Sequence, residues 1–156
     1  MAQGLGGKMS AKWSGYNNVG ICAIALMSVL SHARFLGTAK SLLVMPLVMH
    51  EATIRFLSNG GIRKREAAAL ASTHPEFFAN FHTRYDESLS SSMNAIQLLE
   101  GSGFLRFHDG LHFLHKLEVD STFGARAKKI AKAGENIAAL LASPVEELYL
   151  NFRVQL

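Results

Sequence analysis

From Val19 to Leu30 the chain runs through twelve residues of which only Ser28 has a polar side chain. A stretch this uniformly apolar cannot be a surface helix, which turns one polar face to water. It also falls short of the ~18 residues that mark a membrane-crossing helix. The second apolar run, Leu42 to Met49, is shorter still and contains Pro46. His32, Arg34 and Lys40 stand between the two runs and keep them from merging into one span. The chain must therefore fold around a helix, Val19 to Phe35, that other helices cover on nearly all sides.

Whether 156 residues can provide that cover is a question of composition. Apolar residues make up 49% of the chain and charged ones only 18%, against roughly 25% charged in an average soluble chain. This length is that of one domain, and the apolar content excludes global disorder. With so few charges, part of the apolar surface is expected to face a partner or a membrane. Residues 1–14 read as a flexible N-terminus and 15–156 as a single domain. Within it, 15–58 form a buried helical pair, 62–115 a winged-helix-like unit and 126–154 the C-terminal helices. The one cysteine, Cys22, excludes an internal disulfide or a Cys-based zinc site and reads as a small buried hydrophobe. No charged N-terminal region leads straight into an apolar run and cleavage site, which points to a cytoplasmic protein.

Local signals divide the chain further. Tyr16-Asn17-Asn18 can cap the first helix, Gly37 ends it, and Ser41 begins a second buried helix from Leu42 to Ser58. Asn59-Gly60-Gly61 is a firm stop. Arg63 to Ser72 reads as helical. From Glu76 to Tyr85 the residues Phe77, Phe81 and Tyr85 recur every four positions as one aromatic face. Ser88 or Ser90 then caps a separate helix carrying Leu89, Met93, Ile96 and Leu99, closed by Gly101-Ser102-Gly103. Phe104 to Leu114 is a hairpin. A three-residue loop, His108-Asp109-Gly110, with the glycine left-handed, pairs Phe107 with Leu111 and Leu105 with Phe113, and leaves Arg106 and His112 on the other face. Arg126 to Ala142 turns Ala127, Ile130, Gly134, Ile137 and Leu141 inward, and Pro144 opens a last helix, Val145 to Phe152. The fold class is mainly α, a compact helical domain with a winged-helix-like helix–hairpin unit. That outline serves protein contacts as readily as DNA.

The search for chemistry is negative. His50-Glu51-Ala-Thr-Ile54 begins like a helical zinc-peptidase motif but lacks the second histidine. His112 and His115 fall on opposite strand faces, which spoils a shared metal site. No phosphate-binding Gly-x4-Gly-Lys-Ser/Thr loop and no nucleophile elbow is present. The expectation is a protein without enzymatic activity and without a cofactor of its own. Charge is local: residues 1–60 carry five basic and one acidic group, 61–120 six and eight, and 121–156 five and three. Arg63, Lys64 and Arg65, and Arg126, Lys128, Lys129 and Lys132, are either solvated faces or contacts to phosphate or an acidic partner.

The block Tyr16 to Leu26, then Ser41 to Leu57 with Met45-Pro-Leu-Val-Met-His-Glu-Ala-Thr-Ile-Arg55 at its centre, resembles a known family. So do Leu98-Leu-Glu-Gly-Ser-Gly-Phe-Leu105, Ala127-Lys-Lys-Ile-Ala-Lys-Ala-Gly134 and the close from Pro144 to Val154. The likeness is to the middle component of three-component ABC (ABC-3C) systems, the small accessory subunit of Lamassu-type defence complexes. There are two departures from its pattern: Asn136-Ile137 replaces an aromatic pair, and Glu51 follows the histidine. The resemblance implies a non-catalytic subunit of an anti-phage or anti-plasmid complex. Its partners would be an SMC/Rad50-like ABC ATPase that senses foreign DNA and an effector, commonly a nuclease. ATP and Mg would sit on the ATPase, double-stranded DNA would be met through the complex, and no membrane is involved. The distinctive run then implies partner docking by Met45, Pro46, Leu47, His50, Glu51 and Arg55. The alternatives are a stand-alone winged-helix DNA-binding regulator and a small membrane-active protein using residues 19–57.

Overall fold

The computed structural model describes residues 17–60 and 66–156. Helix α1 (Asn17–Ala33) runs through the centre. Cys22, Leu26, Val29 and Leu30 are wholly buried along it, and at roughly 1.5–3 kcal/mol per large aliphatic side chain this burial is the main source of cohesion. Its most extensive partner is α7 (Ala125–Leu140), followed by α6 (Phe81–Gly101) and then α3 (Val44–Val48). The cover for the apolar run thus comes from the chain itself. Most of the apolar residues from Ile21 to Leu57 are buried, while Phe35 and Phe56 stay partly exposed. No helix among the described residues is long and apolar enough to cross a membrane. The fold is mainly helical, as expected.

The first helix stops sooner than Gly37. Arg34 takes a left-handed conformation (φ 68°), and its guanidinium lies 4.1 Å over the Phe113 ring. The chain then becomes β1 (Phe35–Leu36), a two-residue strand that sequence periodicity cannot register. It joins the hairpin of β2 (Leu105–Phe107) and β3 (Leu111–Phe113) in an antiparallel sheet of order β1-β3-β2. The hairpin register is the expected one: Leu105 faces Phe113, Arg106 faces His112, and Phe107 faces Leu111. Its loop differs in one respect. Asp109 occupies the left-handed region (φ 55°) and Gly110 lies beyond it (φ 140°). A Cβ on Gly110 would stand 2.8 Å from the Leu36 carbonyl oxygen and from the Phe35 ring, so glycine is what lets the loop close on β1.

The expected second helix, Leu42 to Ser58, is three short ones: α2 (Thr38–Ser41), α3, and α4 (Glu51–Asn59). Pro46 has no N–H for Leu42 and its ring crowds that carbonyl, which disfavours helix just before α3. At His50 the backbone is extended (φ −102°, ψ 115°), and the turn lets fully buried α3 lie under α1 while α4 packs on α7. After α4, helix α5 begins at Ala67 with Glu66 outside it (Ala67–Thr73). A 3₁₀ turn, Pro75–Phe78, leads into α6.

No serine caps a new helix at 88 or 90, because α6 is continuous for 21 residues. Ser88 is buried and donates its hydroxyl to the Tyr85 carbonyl (3.0 Å), a bond made without leaving the helix. Phe77, Phe81 and Tyr85 are all buried, but Phe77 belongs to the 3₁₀ turn and only Phe81 and Tyr85 lie on α6. The order α5, 3₁₀ turn, α6, hairpin is consistent with a winged-helix-like unit. On α7 the inward set is buried as expected. Pro144 is the cap of α8 (Val145–Asn151). Tyr149 of α8 donates to the Ala39 carbonyl (2.6 Å) and meets the Tyr85 hydroxyl (3.2 Å), joining α8 to α2 and α6.

Cys22 has no exposed surface, and its thiol lies 3.7 Å from the Ser92 hydroxyl. Burial pushes the thiol up to about 12 from 9.0, against the smaller lowering effect of Ser92. The native thiol is therefore expected to resist a maleimide or an aromatic disulfide at neutral pH and to react on unfolding. Between the ordinary thiol value and about 12 the native state holds a proton that the unfolded chain has lost. Stability from this group is complete below pH ~9 and declines above it. Rapid labelling of the native chain at pH 7 would contradict the burial.

Candidate partner interface along α4 and α7

The distinctive run from Met45 to Arg55 divides into two chemically different halves. Met45, Pro46 and Leu47 are buried in α3. They have no surface to offer, so the docking expected of them is replaced by packing within the chain. An apolar triplet next to a proline reads equally well as either in a sequence.

His50 follows α3 and its capping residue Met49 and stands at the N-cap of α4. Its Nδ1 lies 2.8 Å from Oγ1 of Thr53, a buried hydroxyl in the first turn of α4. Burial, and after it the nearby Arg84 charge, lowers the imidazole below the usual histidine range, with Glu76 pulling weakly the other way. Neutral histidine is thus the form that fits this corner. Glu51 and Arg55 lie one turn apart on the exposed side of α4 and approach to 3.9 Å. Glu51 also accepts from Nζ of Lys129 on α7 at 3.1 Å. That Lys129 bond, then the Lys129 charge, and more weakly Arg55 and Arg126, hold the Glu51 carboxyl below its usual range. The structure therefore brings together residues taken from both candidate groups, the docking run and the lysine cluster. In water such an exposed network contributes little to stability and is better understood as fixing which side chains stand where.

Arg126, Lys128 and Lys132 remain exposed on α7. Lys128 and Lys132 share its outer face one turn apart, as expected, while Lys129 is turned to α4. Arg63, Lys64 and Arg65 lie outside the described residues.

Two contributors escape sequence reasoning. Asn136, one of the departures from the family pattern, donates Nδ2 to the carbonyls of Leu57 (2.6 Å) and Gly60 and so caps the C-terminal end of α4. Arg84 on α6 donates Nε to the Pro46 carbonyl (3.0 Å) and Nη2 to the Phe77 carbonyl (2.8 Å), fastening α3 to the 3₁₀ turn. The only available hint was a lone cation between Phe81 and Tyr85. Beside it, the rings of Phe56, His74 and Phe77 lie within 4.6–5.7 Å of one another around an open groove of about 490 Å³.

These residues hold helices together and display charge, a pattern suited to assembly with other molecules. Residues 15–156 match the family model described as "ABC-three component (ABC-3C) system Middle Component 3". No curated protein and no solved structure matches the chain.

Proposed function

The chain belongs to the Middle Component 3 family of ABC-three component systems, and from that premise we propose that it is the non-catalytic accessory subunit of a Lamassu-type defence complex. In this reading it links an SMC-like ABC ATPase, which senses foreign DNA, to an effector subunit with nuclease activity, and it acts in the cytoplasm against phage or plasmids. The observation that carries the proposal is the fate of the run Met45 to Arg55. Its apolar half builds the core, and its polar half joins α4 to α7 and leaves Glu51, Arg55 and Lys129 at the surface. A charged seam joining two helices at the surface supports a scaffold role.

Arg126, Lys128 and Lys132 support contact with DNA backbone or acidic partner surfaces without sequence reading. Reading DNA as a stand-alone winged-helix regulator is less well supported. The second half of α6, Ser88 to Glu100, has no Arg or Lys and offers only Asn94 and Gln97 as bidentate base readers.

Deleting this subunit is expected to abolish protection against phage or plasmid although it carries no reaction itself. Protection that survives intact would overturn the reading. Reversing the charge of Arg126, Lys128 and Lys132, with Lys129 kept for its bond to Glu51, tests the DNA arm. DNA association of the assembled complex should weaken alike for all sequences. The slope of log K against log salt should flatten by up to ~0.9 per lost phosphate contact. Unchanged association and unchanged defence would make these cations a solvated face only.

A further inference from the structure

A cleft of about 680 Å³ lies between the C-terminal end of α1, the segment that follows β3, and α7. Arg34, Lys116, His32 and His115 line it, against a single acid, Glu118. All four are exposed, and none of them forms an ion pair among the described residues. Arg34 and Lys116 bring permanent charge, and an imidazole offers an N–H donor even when neutral.

Arg34 is held in place by β3. Its carbonyl accepts from the Phe113 N–H at 2.9 Å, and its guanidinium lies 4.1 Å over the ring of Phe113, which lines the same cleft. It ends α1 in the left-handed conformation (φ 68°), where glycine sits without strain. The turn itself therefore does not require this side chain.

The exposed lysines of α7 continue from the cleft. Ala131 lines it, Lys128 stands one helical turn before Ala131, and Lys132 follows at once. A cleft rich in cations, extended by a row of lysines, fits a long chain with one negative charge on every unit. The rest of the lining is largely apolar and includes half-exposed Leu114 with Leu117. A duplex turns its bases inward, whereas a single strand can lay a base face on such a surface.

We propose that this cleft binds a single strand of nucleic acid, with phosphates on Arg34, Lys116 and the α7 lysines and one base against Leu114 and Leu117. The proposal rests on the reading of Lys128 and Lys132 as backbone contacts, and adds to it the cleft and the choice of a single strand. Fluorescence anisotropy on the full chain tests it, with a labelled oligothymidylate of roughly ten nucleotides as the probe. A duplex of the same length and polyglutamate are the competitors.

The oligothymidylate should bind at least about fivefold more tightly than the duplex, the value of one base contact. Polyglutamate at equal charge concentration should not displace it. Arg34→Gly, which suits the backbone at that position, should flatten the slope of log K against log salt by ~0.7, and Lys116→Ala by a similar amount. Arg153, just past α8, has the same left-handed conformation (φ 64°) and does not line the cleft. Arg153→Gly is thus the control for lost net charge and should leave affinity within about twofold. Equal affinity for duplex and single strand, displacement by polyglutamate, no binding of the oligothymidylate, or unchanged binding in both cleft variants would overturn the cleft. Should reversal of Arg126, Lys128 and Lys132 still weaken DNA association of the complex, the lysine reading would stand without it.

Discussion

Gly134→Ala is expected to destabilise the protein by about 1–3 kcal/mol, although alanine is the better helix former by ~1 kcal/mol. A Cβ at this position on α7 would stand 2.5 Å from the backbone oxygen of Ser28 on α1 and 2.8 Å from its carbonyl carbon. Both neighbours are backbone, so no side chain can swing away. Restoring ordinary contact near 3.4 Å requires the two helices to part by roughly an ångström at their crossing. That separation would loosen the most extensive helix pair in the fold, with Leu26, Leu30, Ile130 and Ile137 all buried along it. Urea denaturation measures the effect, and Gly134→Val should be worse than alanine. An alanine variant as stable as the parent would show that α1 and α7 do not cross this closely.

The second large effect is expected just past α8, where Phe152→Ala should cost about 3–5 kcal/mol. Phe152 is wholly buried. Its ring stacks on Phe78 at 4.5 Å with planes 7° apart and meets Phe81 at 5.2 Å. Those two belong to the 3₁₀ turn and to α6, so one side chain closes the C-terminal segment over both. Helix α8, seven residues long, has no stability of its own and persists only through this packing and its contact with α5. The loss should appear as a fall in melting temperature on the order of 10 °C and as new proteolytic cleavage near Ser143. A fall of under about 2 °C with the C-terminus still protected would mean that α8 is anchored elsewhere, the Tyr149 hydrogen bonds being the first place to look.

Much of the candidate interface was hidden in the sequence for a reason these two sites illustrate. The run Met45 to Arg55 stands out as a pattern, but nothing in it separates the triplet that enters the core from the charged pair that stays outside. That division follows from the extended backbone at His50, which redirects the chain between α3 and α4. Lys129 was legible as one of a lysine cluster, yet its difference from Lys128 depends on α4 lying alongside. Asn136 looked like a departure from a family pattern and is a helix cap.

What the sequence determined by itself is whatever repeats at the period of one element. The uniform apolar run required a fully covered α1, the i, i+3, i+4 spacing placed the inward face of α7, and alternation around a short polar loop fixed the hairpin register. These are local patterns whose reading needs no knowledge of what lies opposite. Tertiary structure alone decided β1, two residues long and paired with a strand 77 positions away (Phe35 with His112). It also decided the division into α3 and α4, the continuity of α6 through its serines, the Glu51–Lys129 bond across 78 positions and the bonds of Arg84 to the Pro46 and Phe77 carbonyls. Each of these is stabilised only when distant chain arrives beside it, so no window of neighbouring residues can contain the energy that selects it.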